Sequence, residues 1–329
     1  MMTQPAILST GSYAPPRRLT NEELATMVDT SDEWIHSHTG IRARHIAADH
    51  EAASDLGTIA GSRALDAAGI SPEEVDMVLV ATSTPDYLSY PATACIIQDN
   101  LSCTRAAAMD ITAACTGFVY GLETAACYIK AGRARYVLVI GTEVNSRILN
   151  WNDRNTCVLF GDAAGAVLVG PSPDSTSSIE DSVLRSLGND ALALLRPKGG
   201  SRSPLTFTPE EEKDFYVQMN GKKVYLFAVS AMGKTIEKLL RRNDLTIDDI
   251  AYIVPHQANV RIIQACSQRL GIPMEKFYLN LEEYANTSAA SIPLALDEMN
   301  RKGLLTRGDR ILTVGFGAGL TYGGNLIIW

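Results

Sequence analysis

Cys115, His256 and Asn286 stand in three short segments whose composition suits chemistry as well as packing. Cys115 lies in MDITAACTGFVYGLETAACYI, residues 109–129, after two alanines and ahead of a glycine and a long apolar run. A helix beginning just after it would place the thiol beside unpaired backbone N–H groups and the positive end of the helix dipole. Such a setting lowers a thiol pKa and makes a better nucleophile. The small neighbours Ala113, Ala114 and Gly117 let a carbonyl group approach the backbone. His256, in IVPHQANVRIIQ, follows an apolar strand and Pro255, at the strand end where α/β proteins place functional side chains. Asn286, in YANTSAASIPLAL, stands at a helix start. Together they supply one nucleophile and two hydrogen-bond donors. Each also has a plainer reading: a thiol filling a core gap, a hydrogen-bonded structural histidine, and an N-cap.

The elements that must bring them together read as an α/β layered fold, in which short β-branched runs alternate with longer helical patterns. Strands are predicted over 75–83, 136–143, 163–170, 250–256 and 310–317, with helices between them. Thr20 with Glu23 forms a capping-box pattern for NEELATMV. An internal repeat organises the chain. LDAAGISPEEVDMVLVATS at 65–83 matches LRRNDLTIDDIAYIVPHQA at 240–258, each a helix end, a Ser/Thr turn, an acidic pair and a buried strand. Downstream, the helix and strand after Cys115 correspond to IPLALDEMNRKG and RILTVGFGAG. SPDSTSSIED at 172–181 is the most linker-like stretch, so the halves are taken as 1–175, with the cysteine, and 176–329, with His256 and Asn286. A duplicated unit brings equivalent loops together across its pseudo-twofold, which would let the three residues converge.

Composition excludes several classes. The 329 residues are 46% hydrophobic and 20% charged, an ordinary globular balance. No apolar run approaches the roughly 18 residues of a membrane helix, and the N-terminal MMTQPAILSTGSYAPP lacks the features of a secretory signal. A cytoplasmic protein without a membrane span is expected. A formal charge of -8 argues against nucleic acid as the main partner. One stretch runs the other way: GKKVYLFAVSAMGKTIEKLLRR, 221–242, carries six basic residues against Glu237, either a docking face for an acidic partner or a solvated helix face. The six cysteines show no CxxC or paired spacing, so neither a disulfide framework nor a zinc site is suggested. Cys95, Cys103, Cys127, Cys157 and Cys266 are read as structural.

DITAACTGF, VPHQANVRI and NTSAASIPLAL, with TSDEWIHSHTGIRARH at 30–45 and GDAAGA at 161–166, resemble the β-ketoacyl-acyl-carrier-protein synthase III family, in the right order from about residue 5 to Trp329. The resemblance implies a thiolase-like five-layered αβαβα fold and a homodimer. It implies a decarboxylating Claisen condensation that starts fatty-acid synthesis. An acyl-CoA primer, with acetyl-CoA the expected one, loads Cys115, and malonyl-acyl-carrier protein is then condensed onto the thioester. Coenzyme A enters as part of a substrate; no resident cofactor and no metal are implied. The oxyanion hole would be the backbone N–H groups of Cys115 and Ala318, and His256 with Asn286 would hydrogen-bond the enolate oxygen. Trp34 and Arg154 would sandwich the adenine of coenzyme A, Phe316 and Tyr90 would line the acyl pocket, and Arg261, Lys222 and Lys223 would dock the carrier protein.

This chain departs from the family pattern at four positions. His38 replaces an arginine that contacts coenzyme A, Leu226 replaces a docking lysine, and Ala318 replaces a glycine, which a negative φ would tolerate. Tyr90 stands where a phenylalanine of the partner subunit meets the primer. Other readings fit less well. GFGAGLTYGG leads into a strand, GGNLIIW, and not into the helix a dinucleotide fingerprint needs. A papain-like hydrolase would show a Cys-Gly-Ser-Cys-Trp type signature near its N-terminus. A biosynthetic thiolase would carry a second cysteine in the C-terminal glycine loop, and none follows Cys266. The nearest alternative is a specialised relative that uses the same three residues to make a secondary metabolite or to move an acyl group; a carrier-binding subunit without catalysis is the alternative from another class.

Overall fold

The structure, a computed structural model, describes residues 3–173, 176–205 and 209–329. Its centre is two sheets of matching topology. In the first, Pro5–Tyr13 pairs with Ala163–Pro171, which is followed by Val137–Glu143, Met77–Ala81 and Ala107–Ile111. In the second, Ser178–Ser186 pairs with Thr321–Ile328, followed by Arg310–Gly317 and Tyr252–Pro255, and Phe277 extends the row through a parallel bridge to Ile253. Each sheet starts with two antiparallel contacts and continues with parallel ones. The strands predicted from sequence are all present, with ends shifted by up to two residues. Val137–Glu143 is buried along its whole length, as expected of a strand covered on both faces.

Helices Gly117–Lys130 and Ser291–Arg301 lie between the sheets and touch both. Ala53–Ala68 and Thr93–Asn100 cover the outer face of the first sheet, and Gly221–Arg242 with Val260–Leu270 covers the second. Among the described residues, the five layers enclose three large apolar cores and a small fourth of Ala163, Ala290 and Leu294. The central one packs Phe118, Leu122, Ile292 and Leu296 against Val139 of one sheet and Val254 and Ile311 of the other. Each such side chain contributes about 1.5–3 kcal/mol by leaving water. Gly141 brings the halves together over the site: a Cβ there would lie 2.3 Å from the Ala289 carbonyl oxygen, so only a bare backbone admits the 286–291 segment against this strand.

The serine-rich stretch predicted as a linker is shorter than its composition suggests. Residues 174 and 175 lie outside the described residues, and so does the proposed boundary between the halves. Ser178–Asp181 is already strand, paired with Thr321–Ile328. Ladder hydrogen bonds to that neighbour outweigh the weak strand preference of serine and aspartate. Among the described residues no helix is long and apolar enough to cross a membrane.

Candidate active site

Cys115 sits in the single turn Ala114–Thr116, directly ahead of helix Gly117–Lys130, as the spacing predicts. The turn is held in place from the second half. Thr321 Oγ1 lies 3.0 Å from the carbonyl oxygens of both Ala113 and Ala318, and Thr116 Oγ1 donates to the Thr321 carbonyl at 3.1 Å. Ala114 and Ser288, which flank the thiol, have φ of 47° and 49°, a region that side chains seldom adopt and that recurs at functional sites. Ala318 is not among the positive-φ residues; Gly319, with φ 125°, absorbs the sharp turn, so the methyl group is tolerated.

His256 follows the strand Tyr252–Pro255 and is 1% exposed. Its backbone N–H donates to the Val314 carbonyl, its ring meets Phe316 edge-on at 5.2 Å, and Nδ1 lies 2.8 Å from Ser291 Oγ. Asn286 is pinned by two backbone hydrogen bonds, to Leu159 and from Gly161, and its Oδ1 accepts the Ser288 N–H at 2.9 Å. It is therefore no helix N-cap; helix Ser291–Arg301 begins later, with Ala290 in that position. With Oδ1 occupied, the amide NH2 is the end left to offer a ligand.

A cavity of about 200 Å³ brings these residues together: Cys115, His256, Asn286 and Phe316 line it, with Val224 and Tyr225 at the start of the basic helix. A second space of about 130 Å³ also opens on Cys115, bounded by Leu194, Leu195, Val217, Ser288 and Ala318. Sequence reading missed Leu194, Leu195 and Val217. The short pairing of Leu194–Leu195 with Gln218–Met219 delivers them across a long excursion whose spacing carries no motif.

The electrostatics correct one expectation. Burial pushes the Cys115 thiol up to about 12; hydrogen bonding from Ser288 opposes this and the charge of Glu143 adds to it. Position at a helix start does not outweigh loss of water, so the neutral form of the thiol is favoured. Burial holds His256 down at about 3, so its ring is neutral as well. An unfolded histidine, at 6.5, takes up a proton that the folded one refuses, so stability falls as pH drops through the window from 6.5 toward 3. The slope contributed by this one residue approaches about 1.4 kcal/mol per pH unit at its steepest. Urea unfolding of the native protein and of His256→Gln at pH 7 and pH 5.5 should show the native chain losing more stability on acidification.

Gly317 offers a second check. A Cβ there would lie 2.9 Å from both the Cys115 Cβ and the Cys115 backbone nitrogen. Gly317→Ala should cost about 1–3 kcal/mol by overpacking, read from the urea midpoint, and should slow modification of Cys115 by displacing its turn.

The remaining expected residues divide. The Arg154 guanidinium lies 4.8 Å over the Trp34 ring and donates to the Asp29 carbonyl. His38 stacks on Trp34 at 4.5 Å, with Nδ1 2.7 Å from the Trp34 carbonyl oxygen. It is folded onto its own helix, Asp32–Thr39, and not extended as a phosphate contact would be. Arg261 is exposed and donates to the Ser37 carbonyl, Lys222 is exposed, and Lys223 pairs with Asp190 at 2.5 Å. Leu226, 59% exposed, borders a groove with Lys223 and Lys234. Tyr90 does not line the cavities around Cys115 in its own chain; it is 84% exposed on the loop before Pro91. All six cysteines are free thiols, Cys95 and Cys127 exposed and the others buried.

Comparison with known proteins gives this geometry its context. Residues 109–188 match the family model of 3-oxoacyl-[acyl-carrier-protein (ACP)] synthase III, and residues 240–329 match the model of its C-terminal part. The chain is 50% identical over 323 residues to the beta-ketoacyl-[acyl-carrier-protein] synthase III of Caldanaerobacter subterraneus subsp. tengcongensis, covering 98% of this chain and 97% of that one. It is 46% identical to the enzyme of the same name from Clostridium acetobutylicum, covering 100% and 99%. The crystal structure of 3-oxoacyl-[acyl-carrier-protein] synthase III from Aquifex aeolicus superposes with a TM-score of 0.91 at 41% identity, covering 99% of this chain and 100% of that one. The layered architecture is thus the thiolase-like fold, and the chain belongs to the 3-oxoacyl-[acyl-carrier-protein] synthase III family of condensing acyltransferases.

Proposed function

We propose that this chain joins an acyl-CoA primer to malonyl-acyl-carrier protein in two stages at Cys115, the decarboxylative condensation that starts fatty-acid synthesis. The observation that carries the reading is the single cavity shared by Cys115, His256 and Asn286. In the first stage Sγ attacks the acyl carbonyl carbon, and the backbone N–H groups of Cys115 and Ala318 receive the developing oxyanion. Coenzyme A leaves as its thiol. The 130 Å³ space beyond Cys115 suits a short acyl chain such as acetyl. In the second stage the malonyl thioester loses CO2, and its enolate oxygen is held by His256 and Asn286.

Ser291 positions that ring: its Oγ lies 2.8 Å from His256 Nδ1, while its hydroxyl donates to the Ser288 carbonyl at 2.9 Å. The donor role requires the tautomer protonated on Nε2, formed when the Ser291 hydroxyl turns from that carbonyl to Nδ1. The enolate carbon attacks the Cys115 thioester, and Sγ is expelled.

The halves divide the work: 1–175 provides the nucleophile, and 176–329 provides His256 and Asn286. Trp34 and Arg154 receive the adenine of coenzyme A, with His38 backing the tryptophan ring. Lys222, Lys223 and Arg261 face the acidic carrier protein around the cavity mouth. Ala107–Ile111 is an edge strand with exposed Met109, and Tyr87, Leu88 and Tyr90 are exposed ahead of helix Thr93–Asn100. An edge of this kind calls for a cover, and pairing with a second copy would form the homodimer and carry Tyr90 toward the partner's acyl space.

The test is intact-protein mass after incubation with a panel of acyl-CoAs, followed by malonyl-acyl-carrier protein. An acetyl adduct on Cys115, discharged as acetoacetyl-carrier protein, is expected. An adduct that malonyl-carrier protein cannot discharge would exclude condensation, and no adduct with any acyl-CoA would exclude the enzyme reading altogether.

A further inference from the structure

Among the described residues Arg44 is the largest side chain to be fully buried, 0% exposed, on strand Ala43–Ile46. It belongs to TGIRARH, 39–45, and neither stage at Cys115 gives it a role. A buried guanidinium is expensive unless its donors are met, and here the acceptors are all neutral. Nη1 donates to Asn21 Oδ1 at 2.8 Å and reaches the Leu19 carbonyl at 3.5 Å, Nη2 donates to the Val158 carbonyl at 2.9 Å, and Nε is buried without a partner. Burial lowers the Arg44 pKa to about 10, so the charge persists at neutral pH.

The two arms of the fork lead to different elements. Val158 caps the C-terminal end of the short helix Arg154–Cys157, whose first residue holds its guanidinium 4.8 Å over the Trp34 ring. Asn21, itself 0% exposed, extends the other arm: its Nδ2 donates to the Ile41 carbonyl at 2.7 Å and to Asp32 Oδ1 at 2.8 Å, and Asp32 opens helix Asp32–Thr39, which carries Trp34. Three hydrogen bonds therefore run from the helix of Arg154, through Arg44 and Asn21, to the helix of Trp34. We infer that Arg44 is a positioning residue that holds the Trp34 and Arg154 planes in register for the adenine of coenzyme A; this rests on the adenine site proposed above. A planar guanidinium suits the task, because its donors leave one rigid group in fixed directions, whereas a lysine ammonium is a point charge. Closed off from solvent, Arg44 acts through Asn21 and Val158, so its loss should be felt only by substrates that carry the nucleotide.

The deciding experiment compares loading of Cys115 from acetyl-CoA and from S-acetylpantetheine, which lacks the nucleotide, in the native chain, Arg44→Met, Arg44→Lys, Asp32→Ala and Trp34→Ala. Arg44→Met and Arg44→Lys should each raise KM for acetyl-CoA by about tenfold, within the range for losing one base–aromatic stack, and should leave the saturated loading rate and the S-acetylpantetheine rate within about twofold of native. Added to Trp34→Ala, Arg44→Met should cost no more than about twofold further, as residues of one network do not add. Equal losses with both thioesters would reduce Arg44 to a general support of the fold, a KM restored in Arg44→Lys would assign the effect to charge attracting the phosphates of coenzyme A, and an unchanged KM would leave the two planes self-supporting; each of these overturns the inference. Asp32→Ala cuts the same path at its half-buried end and decides the matter if the Arg44 variants do not fold. Its control is Arg42→Ala, which removes the other contact of Asp32, at 3.2 Å, and should keep the native KM. A Trp34→Ala chain with native KM for acetyl-CoA would overturn the adenine reading and the inference with it, whereas a KM raised by Trp34→Ala and not by Arg44→Met would overturn the inference alone.

Discussion

Cys115→Ser should abolish the acyl adduct: loading from acyl-CoA is expected to fall by at least about 10⁴-fold, the scale seen when a covalent nucleophile is lost. A serine hydroxyl is a much weaker acid than even a thiol pushed to about 12, and little nearby can compensate. Burial keeps His256 neutral, and the partner of its Nδ1 is a hydroxyl and not a carboxylate. The Ser-His-Asp logic that activates serine elsewhere is therefore missing from this ring. The substitution is nearly isosteric at a 7% exposed position, so the urea midpoint should stay close to that of the native chain. Mass spectrometry of the protein after mixing with acetyl-CoA reads the result directly. An adduct forming at native rate would move the nucleophile elsewhere.

Asn286→Asp should separate the two stages. The new carboxylate keeps an oxygen to accept the Ser288 N–H, so the loop that carries Ser288 to Cys115 remains in place. What disappears is the NH2 donor, and a potential anion takes its place beside the enolate. Acyl transfer is expected to remain within tenfold of native, whereas condensation should slow by about 10³-fold, the upper range for loss of one oxyanion donor. Preloaded enzyme mixed with malonyl-acyl-carrier protein, with released product followed in time, measures the second stage alone. Equal losses in both stages would assign Asn286 a role in holding the loop and not in stabilising charge.

The residues that sequence reading located share a property: their settings are local. Cys115 ahead of a helix, His256 after a strand and the buried run Val137–Glu143 can be read from neighbours in the chain. Ser288 and Ser291 could not be placed at the site that way, because each meets it through a group more than 30 residues distant, Cys115 and His256 respectively. The thiol shows the limit most clearly. Its helix start was legible and argued for a low pKa, but burial is a tertiary property and set the opposite direction. Ser178–Asp181 failed for a similar reason, since a strand made by pairing leaves little mark in a serine-rich stretch. Tyr90 was located by resemblance, and in a single chain it stands 84% exposed.

At the proposed adenine site, Arg154 resting on Trp34 would make recognition an exchange of partners. A purine held between two planes needs them about 7 Å apart, two van der Waals contacts deep, and the guanidinium stands at 4.8 Å from the ring centroid. An incoming base would have to displace the arginine, at a cost of about 0.5–1 kcal/mol for an exposed contact of this type, so its affinity would be lower than the finished stack would give. The same exchange makes the indole an internal optical reporter. Trp329 is buried and Trp151 half-buried, so emission that changes as coenzyme A arrives would come chiefly from Trp34, and occupancy of the site becomes visible without a label.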